Sequence, residues 1–454
     1  MPMQSTNPAT GELLGVYEYW DAAMLDAVLT ASAQARFAWA KIPLETRCGL
    51  FRRLAEVLRA EKQKFAHLVT SEMGKLYRES EGEIDKCIAA CDYYAKAAPS
   101  FLQPELIATD AKRSYVAFQP LGTVLAVMPW NFPVWQVFRF AIPALLAGNT
   151  ALLKHASNVP LCALQIEAIF REAGFPQNVF RTLLISSDQV AGVIADSRVH
   201  ALTLTGSEAA GRKVAAAAGK ALKPSVLELG GSDPFIVCPD ADQEEAVRVA
   251  VMSRYLNCGQ SCIAAKRFIL VGAAADWFVP KFILAVRALR PGDPFKDSST
   301  LAPMARIDLR DELHSQVKES LKLGAVALSG CEVVPGKGAF YQASILDQVR
   351  PGMPAYDEEL FGPVAVIQRV ADTQAAVALA NNCRFGLGAS VWTADPALGE
   401  VMALRLECGV VFVNGIVKSD PRLPFGGIKA SGYGRELSYY GLREFVNIKT
   451  VWIK

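Results

Sequence analysis

Cys262 closes the run Asn257-Cys258-Gly259-Gln260-Ser261-Cys262, and Lys266 follows it after Ile263-Ala264-Ala265. A thiolate attacks carbonyl carbon well, and its pKa falls beside positive dipoles or charges. In most chains a cysteine is simply a small buried hydrophobe. The deciding question is whether the chain also supplies a base, an oxyanion donor and a cofactor site. Glu228 lies in Leu227-Glu228-Leu229-Gly230-Gly231. A carboxylate ending a buried strand is costly unless it is used or paired. Burial would lift its pKa towards working pH, as a general base requires; the plain alternative is a surface glutamate at a strand end. Asn131 stands between two prolines in Met128-Pro129-Trp130-Asn131-Phe132-Pro133. That stretch is either an ordinary turn or a fixed amide donor for an oxyanion.

Other stretches suit a nucleotide. Thr205-Gly206-Ser207 ends a strand-like run and opens a helix, where backbone N–H groups suit a phosphate. The G-x-G-x-x-G fingerprint is absent, and Gly432-Tyr433-Gly434 lacks its third glycine. Glu358-Glu359-Leu360-Phe361-Gly362-Pro363 sets a carboxylate two residues from an aromatic, a pair able to hold a ribose hydroxyl and flank a nicotinamide ring. Pro424-Phe425-Gly426-Gly427 is a tight turn presenting an aromatic. Each of these is weak alone.

The elements that must position these residues follow from the apolar pattern. The chain has 454 residues, 52% hydrophobic and 20% charged, which excludes a disordered chain and allows two or three domains. Net charge is +2 with no long basic or acidic run, which argues against nucleic acid or an anionic membrane as partner. The apolar stretch 124–153 is interrupted by Pro129, Asn131, Pro133, Arg139, Pro143 and Asn149, against a membrane span. The first residues show no signal-peptide pattern, and ten cysteines without small-domain spacing suit a reducing, cytoplasmic setting. Four scattered histidines give no zinc spacing, so no metal is expected. The pattern is helical over 21–101, with Asp21 as a cap and a break at Pro43. Residues 113–127 turn β-like and read as a hairpin entering a sheet. Strands and helices then alternate through both halves, which predicts an α/β fold with a parallel sheet covered on both faces. The β-prone tail 445–454 is expected to pair with another element or subunit.

Taken together, Trp130-Asn131-Phe132-Pro133, Lys154, Gly206-Ser207, Glu228-Leu229-Gly230-Gly231, Gly259-Gln260-x-Cys262, Glu359-x-Phe361-Gly362-Pro363 and Pro424-Phe425-Gly426-Gly427 stand in the order and at the spacing of one family. The chain resembles the aldehyde dehydrogenase superfamily over essentially its whole length. The resemblance implies Cys262 as nucleophile, Glu228 as general base, and Asn131 with the Cys262 N–H as oxyanion hole. It implies a cofactor site drawing on Pro129, Trp130, Lys154, Ser157, Gly206, Ser207, Leu229, Glu359 and Phe361. The implied fold has a Rossmann-like cofactor domain over 1–101 and 121–229 and a catalytic domain over 230–430. A β-strand oligomerisation arm from 102–120 and 431–454 would make a homodimer or homotetramer. Cys258 is either packing or a disulfide partner for Cys262.

The substrate is implied more narrowly. The chain looks most like the NADP-preferring succinate-semialdehyde dehydrogenases of bacteria. Arg139, eight residues past Asn131, and Ser419 match that group's carboxylate-binding residues, with Phe425 beside them. The alternative for Arg139 is a structural ion pair. A second arginine expected six residues before the nucleophile is replaced by Leu256, with Lys418 or Arg422 as candidates to compensate. Ser157 stands where many NAD-linked relatives carry a glutamate, which implies NADP in preference to NAD. The alternatives are a dehydrogenase of broad aliphatic or aromatic specificity, or a non-catalytic relative like the crystallins of this superfamily.

Overall fold

The computed structural model describes residues 2–454. Two large sheets organise it. The first has six strands in the order Gly432–Tyr433, Ser225–Glu228, Ala201–Thr205, Thr123–Met128, Thr150–His155, Phe180–Thr182. All pairs are parallel except the one that Gly432–Tyr433 makes with Ser225–Glu228. The second has seven strands, in the order Val326–Ser329, Ser344–Asp347, Val364–Val370, Ala265–Val271, Asp233–Val237, Gly388–Trp392, Val410–Val413. It too is parallel, apart from its first pair. The fold is therefore the mixed α/β class that the alternating pattern predicts.

Burial on both faces explains why these strands read as unbroken apolar runs. Along Thr123–Met128, residues 124, 126 and 128 join a core with Phe138, Ile142 and Phe170. Leu125 joins a separate core with Leu152, Leu202 and Leu204. In the second sheet Phe268 and Leu270 pack with Phe278 and Phe282, while Ile269 and Val271 pack with Ala376 and Met402.

The first four helices are α1 (Ala22–Lys41), α2 (Leu44–Met73), α3 (Tyr77–Leu102) and α4 (Trp135–Leu146). The Asp21 side chain accepts from the Met24 N–H at the start of α1, as the sequence predicts. The third helix runs five residues past the alanine at 97, with Pro99 in its last turns.

The reading of 113–127 as one hairpin is corrected. Strand Arg113–Pro120 belongs to a three-stranded antiparallel sheet with Glu105–Leu106 and Val446–Ile453, whereas Thr123–Met128 sits in the six-stranded sheet. Gly122, at φ +136°, makes the change of direction, and a Cβ there would meet the His200 ring at 2.7 Å. Two β-prone runs around a turn look like a hairpin in sequence, because β-propensity does not name the partner strand. The tail pairs within its own chain, from Val446 against Pro120 to Ile453 against Arg113. No helix is long and apolar enough to cross a membrane among the described residues.

One buried ion pair fixes the start of α4. The Glu83 carboxylate, on α3, accepts the N–H groups of Val134 and Trp135 at 2.8 Å each. Its other oxygen takes the Lys75 ammonium at 2.5 Å, and both side chains are buried. Lys75 also lies 4.0 Å from the Phe132 ring centroid. A carboxylate at a helix N-terminus meets unpaired N–H groups and the positive end of the helix dipole. The turn carrying Asn131 is thereby held from below. Replacing Glu83 with glutamine leaves the Lys75 ammonium buried without its counter-charge. Glu83→Gln is expected to destabilise the protein by about 3–5 kcal/mol. Urea unfolding checks it: the midpoint should fall with little change in slope.

Candidate active site

The sites that the sequence singles out converge at the carboxyl ends of the first sheet. The order of its strands reverses between Thr123–Met128 and Ala201–Thr205, so a crevice opens there. Strand Thr123–Met128 runs into Pro129-Trp130-Asn131, and Ala201–Thr205 runs into Gly206 and Ser207. Glu228 ends its own strand, and Lys154 lies beside Val127 in register. Ser207 caps the helix Glu208–Lys220, its hydroxyl accepting from the Ala210 N–H at 3.3 Å.

The nucleophile loop leaves the helix Gln243–Tyr255 through three consecutive left-handed residues: Asn257, Cys258 and Gly259, with φ of 54°, 55° and 71°. Gly259 has no substitute, because a Cβ would lie 2.4 Å from both Arg254 and the Gly362 carbonyl. Polar contacts hold the loop. The Asn257 amide donates to the carbonyls of Asn131 at 2.8 Å and Gln260 at 3.0 Å. The Gln260 side chain accepts from Ala305 N–H at 2.9 Å. His155, kept neutral by burial that pushes its pKa down to about 4, sits 2.8 Å from the Pro133 carbonyl.

Cys262 lines two cavities. One, of about 300 Å³, is walled by Pro129, Trp130, Asn131, Gly206, Ser207, Glu228, Leu229, Glu359 and Phe361. The other, a funnel of about 520 Å³, is walled by Phe132, Trp135, Arg139, Ser419, Phe425 and others. Lys154, buried, and Ser157, exposed, stand outside the first cavity's lining, on and after the neighbouring strand. Burial pushes the Cys262 thiol up to about 12, with Arg139 and Lys266 pulling it back down. The Asn131 amide nitrogen donates to the Gln260 carbonyl at 3.1 Å, which leaves its second N–H to spare. Among the described residues the Cys262 N–H has no hydrogen-bond partner.

Glu228 is buried, and neither carboxylate oxygen has a hydrogen-bond partner. Its pKa stands well above the ordinary carboxylate range because of burial, opposed by the positive charge of Arg139 and reinforced by Glu436. Arg139 is buried as well. It is ion-paired with Glu436, donates to the Thr205 hydroxyl at 3.3 Å, and lies 4.8 Å from the Phe425 ring centroid. Arg139 lines the funnel, and it also makes the structural ion pair that was its alternative reading, with Glu436 as the partner. Cys258 is buried and carries a raised pKa from desolvation; it is a free thiol, as is Cys262.

Several residues at the site escaped the sequence reading. Lys266 lies 3.0 Å from the Glu359 carboxylate and donates to the carbonyls of Ser261 at 3.0 Å and Cys262 at 2.9 Å. Glu359 also accepts from the Gly231 N–H at 3.1 Å. Trp130 and Phe361 meet edge to face at 5.8 Å. Lys86 donates to the Ser419 hydroxyl at 2.6 Å. The available signal was spacing: Glu79, Glu83 and Lys86 fall four and three apart, a charged stripe on one side of α3, with Lys75 just before the helix. Of the two candidates to replace the missing arginine, Lys418 lines the funnel, while Arg422 is paired with Asp420 at 2.6 Å and does not.

The model of the aldehyde dehydrogenase family matches residues 1–451. The chain belongs to that family. It is 48% identical to the succinate semialdehyde dehydrogenase (NAD(P)+) of Escherichia coli, over 99% of this chain and 97% of that one. It is 46% identical to the succinate-semialdehyde dehydrogenase (NADP+) of Mycobacterium avium, over 100% of this chain and 97% of that one. A crystal structure of the Streptococcus pyogenes succinic semialdehyde dehydrogenase in complex with NADP+ is 38% identical, covers 99% of each chain, and superposes with a TM-score of 0.97. In this aldehyde dehydrogenase, then, one sulfur faces two cavities, with an unpartnered buried carboxyl on one side and a cation-bearing funnel on the other.

Proposed function

We propose that this aldehyde dehydrogenase oxidises succinate semialdehyde to succinate with NADP. The observation that carries the reading is the funnel, where cations and a serine hydroxyl share a cavity with Cys262. The relatives named for that activity support it. Cys262 attacks the aldehyde carbon, and the oxyanion that forms is met by the Asn131 amide and the Cys262 N–H. Arg139 and Ser419 face the substrate carboxylate, with Phe425 as the aromatic wall.

The smaller cavity suits a dinucleotide. Its strand-end position, the helix start after Ser207 and the Glu359 carboxylate fit ribose and phosphate groups. Pro129, Trp130, Leu229 and Phe361 supply walls, and Gly206 keeps the approach open. The Lys154 ammonium has no carboxylate partner among the described residues, as a phosphate-binding cation would require. The cofactor, when bound, supplies the hydride acceptor. The acyl group left on Cys262 is a thioester, and Glu228 takes the proton from the water that hydrolyses it. Burial serves that task, because a raised pKa makes the carboxylate a stronger base.

On this reading 1–101 with 121–229 binds cofactor, 230–430 carries the chemistry, and 102–120 with 431–454 joins subunits into a homodimer or homotetramer. The exposed Ile448 and Trp452 of the tail strand support the last point, and ten free cysteines suit a reducing cytoplasm.

Three tests follow from these roles. Glu228→Gln should release a burst of reduced cofactor and then nearly stop. In the wild type, deacylation should rise with pH through a range above that of ordinary carboxylates, as the raised Glu228 ionises; the variant should lose that limb, and steady turnover with an unchanged pH profile would remove Glu228 as base. Deletion of 445–454 should shift the particle towards monomer in light scattering, and an unchanged mass rejects the arm. Ser157→Glu would set a carboxylate against the 2′-phosphate of NADP. At about 4 Å and an effective dielectric near 20, each unit pair costs about 4 kcal/mol before screening. The wild type should favour NADP by roughly one to three orders of magnitude in kcat/KM, and the variant should lose that preference. A wild type that favours NAD ends this assignment.

A further inference from the structure

The funnel is lined by four cations, and they are not equivalent. Arg78 and Lys418 are exposed, and Arg78 donates to the Ser299 carbonyl at 2.9 Å. Arg139 is already ion-paired with Glu436. Lys86 is half-buried and has no carboxylate partner among the described residues. Its ammonium is held by two neutral groups: the Ser419 hydroxyl at 2.6 Å and the face of Trp135, 4.3 Å from the ring centroid.

The acids nearby are committed elsewhere. Glu83 is spent on Lys75 and the start of α4. Glu79 accepts from the Asn257 N–H, and burial raises its pKa, which favours its neutral form. Asp420 is paired with Arg422. A half-buried ammonium with no counter-ion costs free energy unless something occupies the place of the missing anion. Burial, together with the positive charge of Arg139, pulls the Lys86 pKa down to about 8, as expected for a cation waiting for a partner. Trp135 Nε1 also donates to Ser419 Oγ, at 3.0 Å. Ser419 is thus a hub, receiving one N–H from α4 and one from α3, with its own proton left to donate.

We propose that Lys86, on α3, is a specificity-determining residue: with Ser419 it forms the anchoring pair for the substrate carboxylate, replacing the second arginine whose place Leu256 holds. The inference rests on the reading that the substrate is a semialdehyde acid. Two donors meet there, the ammonium and the Ser419 hydroxyl, and Arg139 lines the same funnel. The ammonium is the one with its charge uncommitted. Trp135 orients Lys86 and excludes water from one side, which strengthens the contact with a carboxylate.

The experiment compares succinate semialdehyde with butanal, an uncharged aldehyde of equal carbon number, in the wild type, Lys86→Met and Lys86→Gln. The methionine keeps an apolar stem on Trp135, and the glutamine keeps a donor for Ser419, so either folded variant suffices. The ratio of kcat/KM for succinate semialdehyde to that for butanal should fall about tenfold or more, chiefly through KM for the acid. Lys86→Arg should recover most of the ratio, which a merely structural role would not produce. If the wild type prefers the acid and both neutral variants keep that preference, Lys86 is not the anchor and the proposed substrate stands. If the wild type shows no preference for the acid, the substrate reading fails and Lys86 falls with it.

Discussion

The site depends on a buried cation that has no anion. Arg254 is completely buried, and burial lowers its pKa to about 10. Its guanidinium meets carbonyl oxygens only: Gly259 at 2.7 Å, Ala265 at 3.3 Å, Leu360 at 3.4 Å, and Gly362. Those carbonyls come from the nucleophile loop on one side and the Glu359-Leu360-Phe361-Gly362 loop on the other. One side chain therefore ties the loop carrying the thiol to the loop carrying the Glu359 carboxylate. The two non-glycine left-handed residues, Asn257 and Cys258, cost about 1–3 kcal/mol each. Hydrogen bonds to a charged group contribute about 1.5–3 kcal/mol each. The strained loop can persist because several such bonds oppose it, and Asn257 adds two more onto Asn131 and Gln260. Position of the sulfur and position of the oxyanion donor are thus set by one network.

Charge is scarce around that network. Arg139 stands among Glu228, Glu436 and the Cys262 thiol, and burial raises the pKa of all three acids. Arg139 acts on all three while burial opposes each anion, so the protonation of one affects the others. On the proposed roles this orders the reaction. While the thiol is being ionised, a neutral Glu228 is favoured. Once the sulfur is tied up as a thioester its charge is gone, and Glu228 ionises more easily. The base becomes available at the step that needs it, with no movement of the backbone required.

Much of this was legible in the chain. Helix starts, such as Asp21 and Ser207, are local, and the apolar runs of the two sheets reflect burial that period alone can report. Cys262, Glu228 and Asn131 could be singled out because each sits in a short motif, and the fold brings them to one cavity. What was hidden is made by distant contacts. Glu83 reaches Val134 across 51 residues, and Lys86 reaches Ser419 across 333. Arg254 looked like one more arginine in a helix, because its partners are carbonyls, which every residue has. Residues 113–127 read as a hairpin because turn chemistry does not say which sheet comes next. Arg139 was singled out by its place after Asn131, with an ion pair as the alternative, yet Glu436 as the partner could not be read across a separation longer than half the chain.

The same shortage of cations constrains what the funnel can hold. Arg139 pulls the Cys262 thiol down and favours ionised Glu228. A substrate carboxylate seated on Arg139 alone would cancel that help and add a third carboxylate to Glu228 and Glu436. At about 4 Å and an effective dielectric near 20, each like-charge pair costs about 4 kcal/mol, which is large against the gain from one shared guanidinium. An uncharged aldehyde brings no such penalty, but it also leaves the Lys86 ammonium without a counter-ion. An acid of the right length reverses both terms, because its charge falls on the cation that does not serve the catalytic carboxyls. On the proposed roles the division of labour is electrostatic: Lys86 with Ser419 takes the larger share of the substrate's charge, while Arg139, also facing the funnel, keeps its field on Glu228 and the Cys262 thiol. A funnel in which Arg139 and Lys86 have separate duties can bind an anion without disabling the nucleophile beside it.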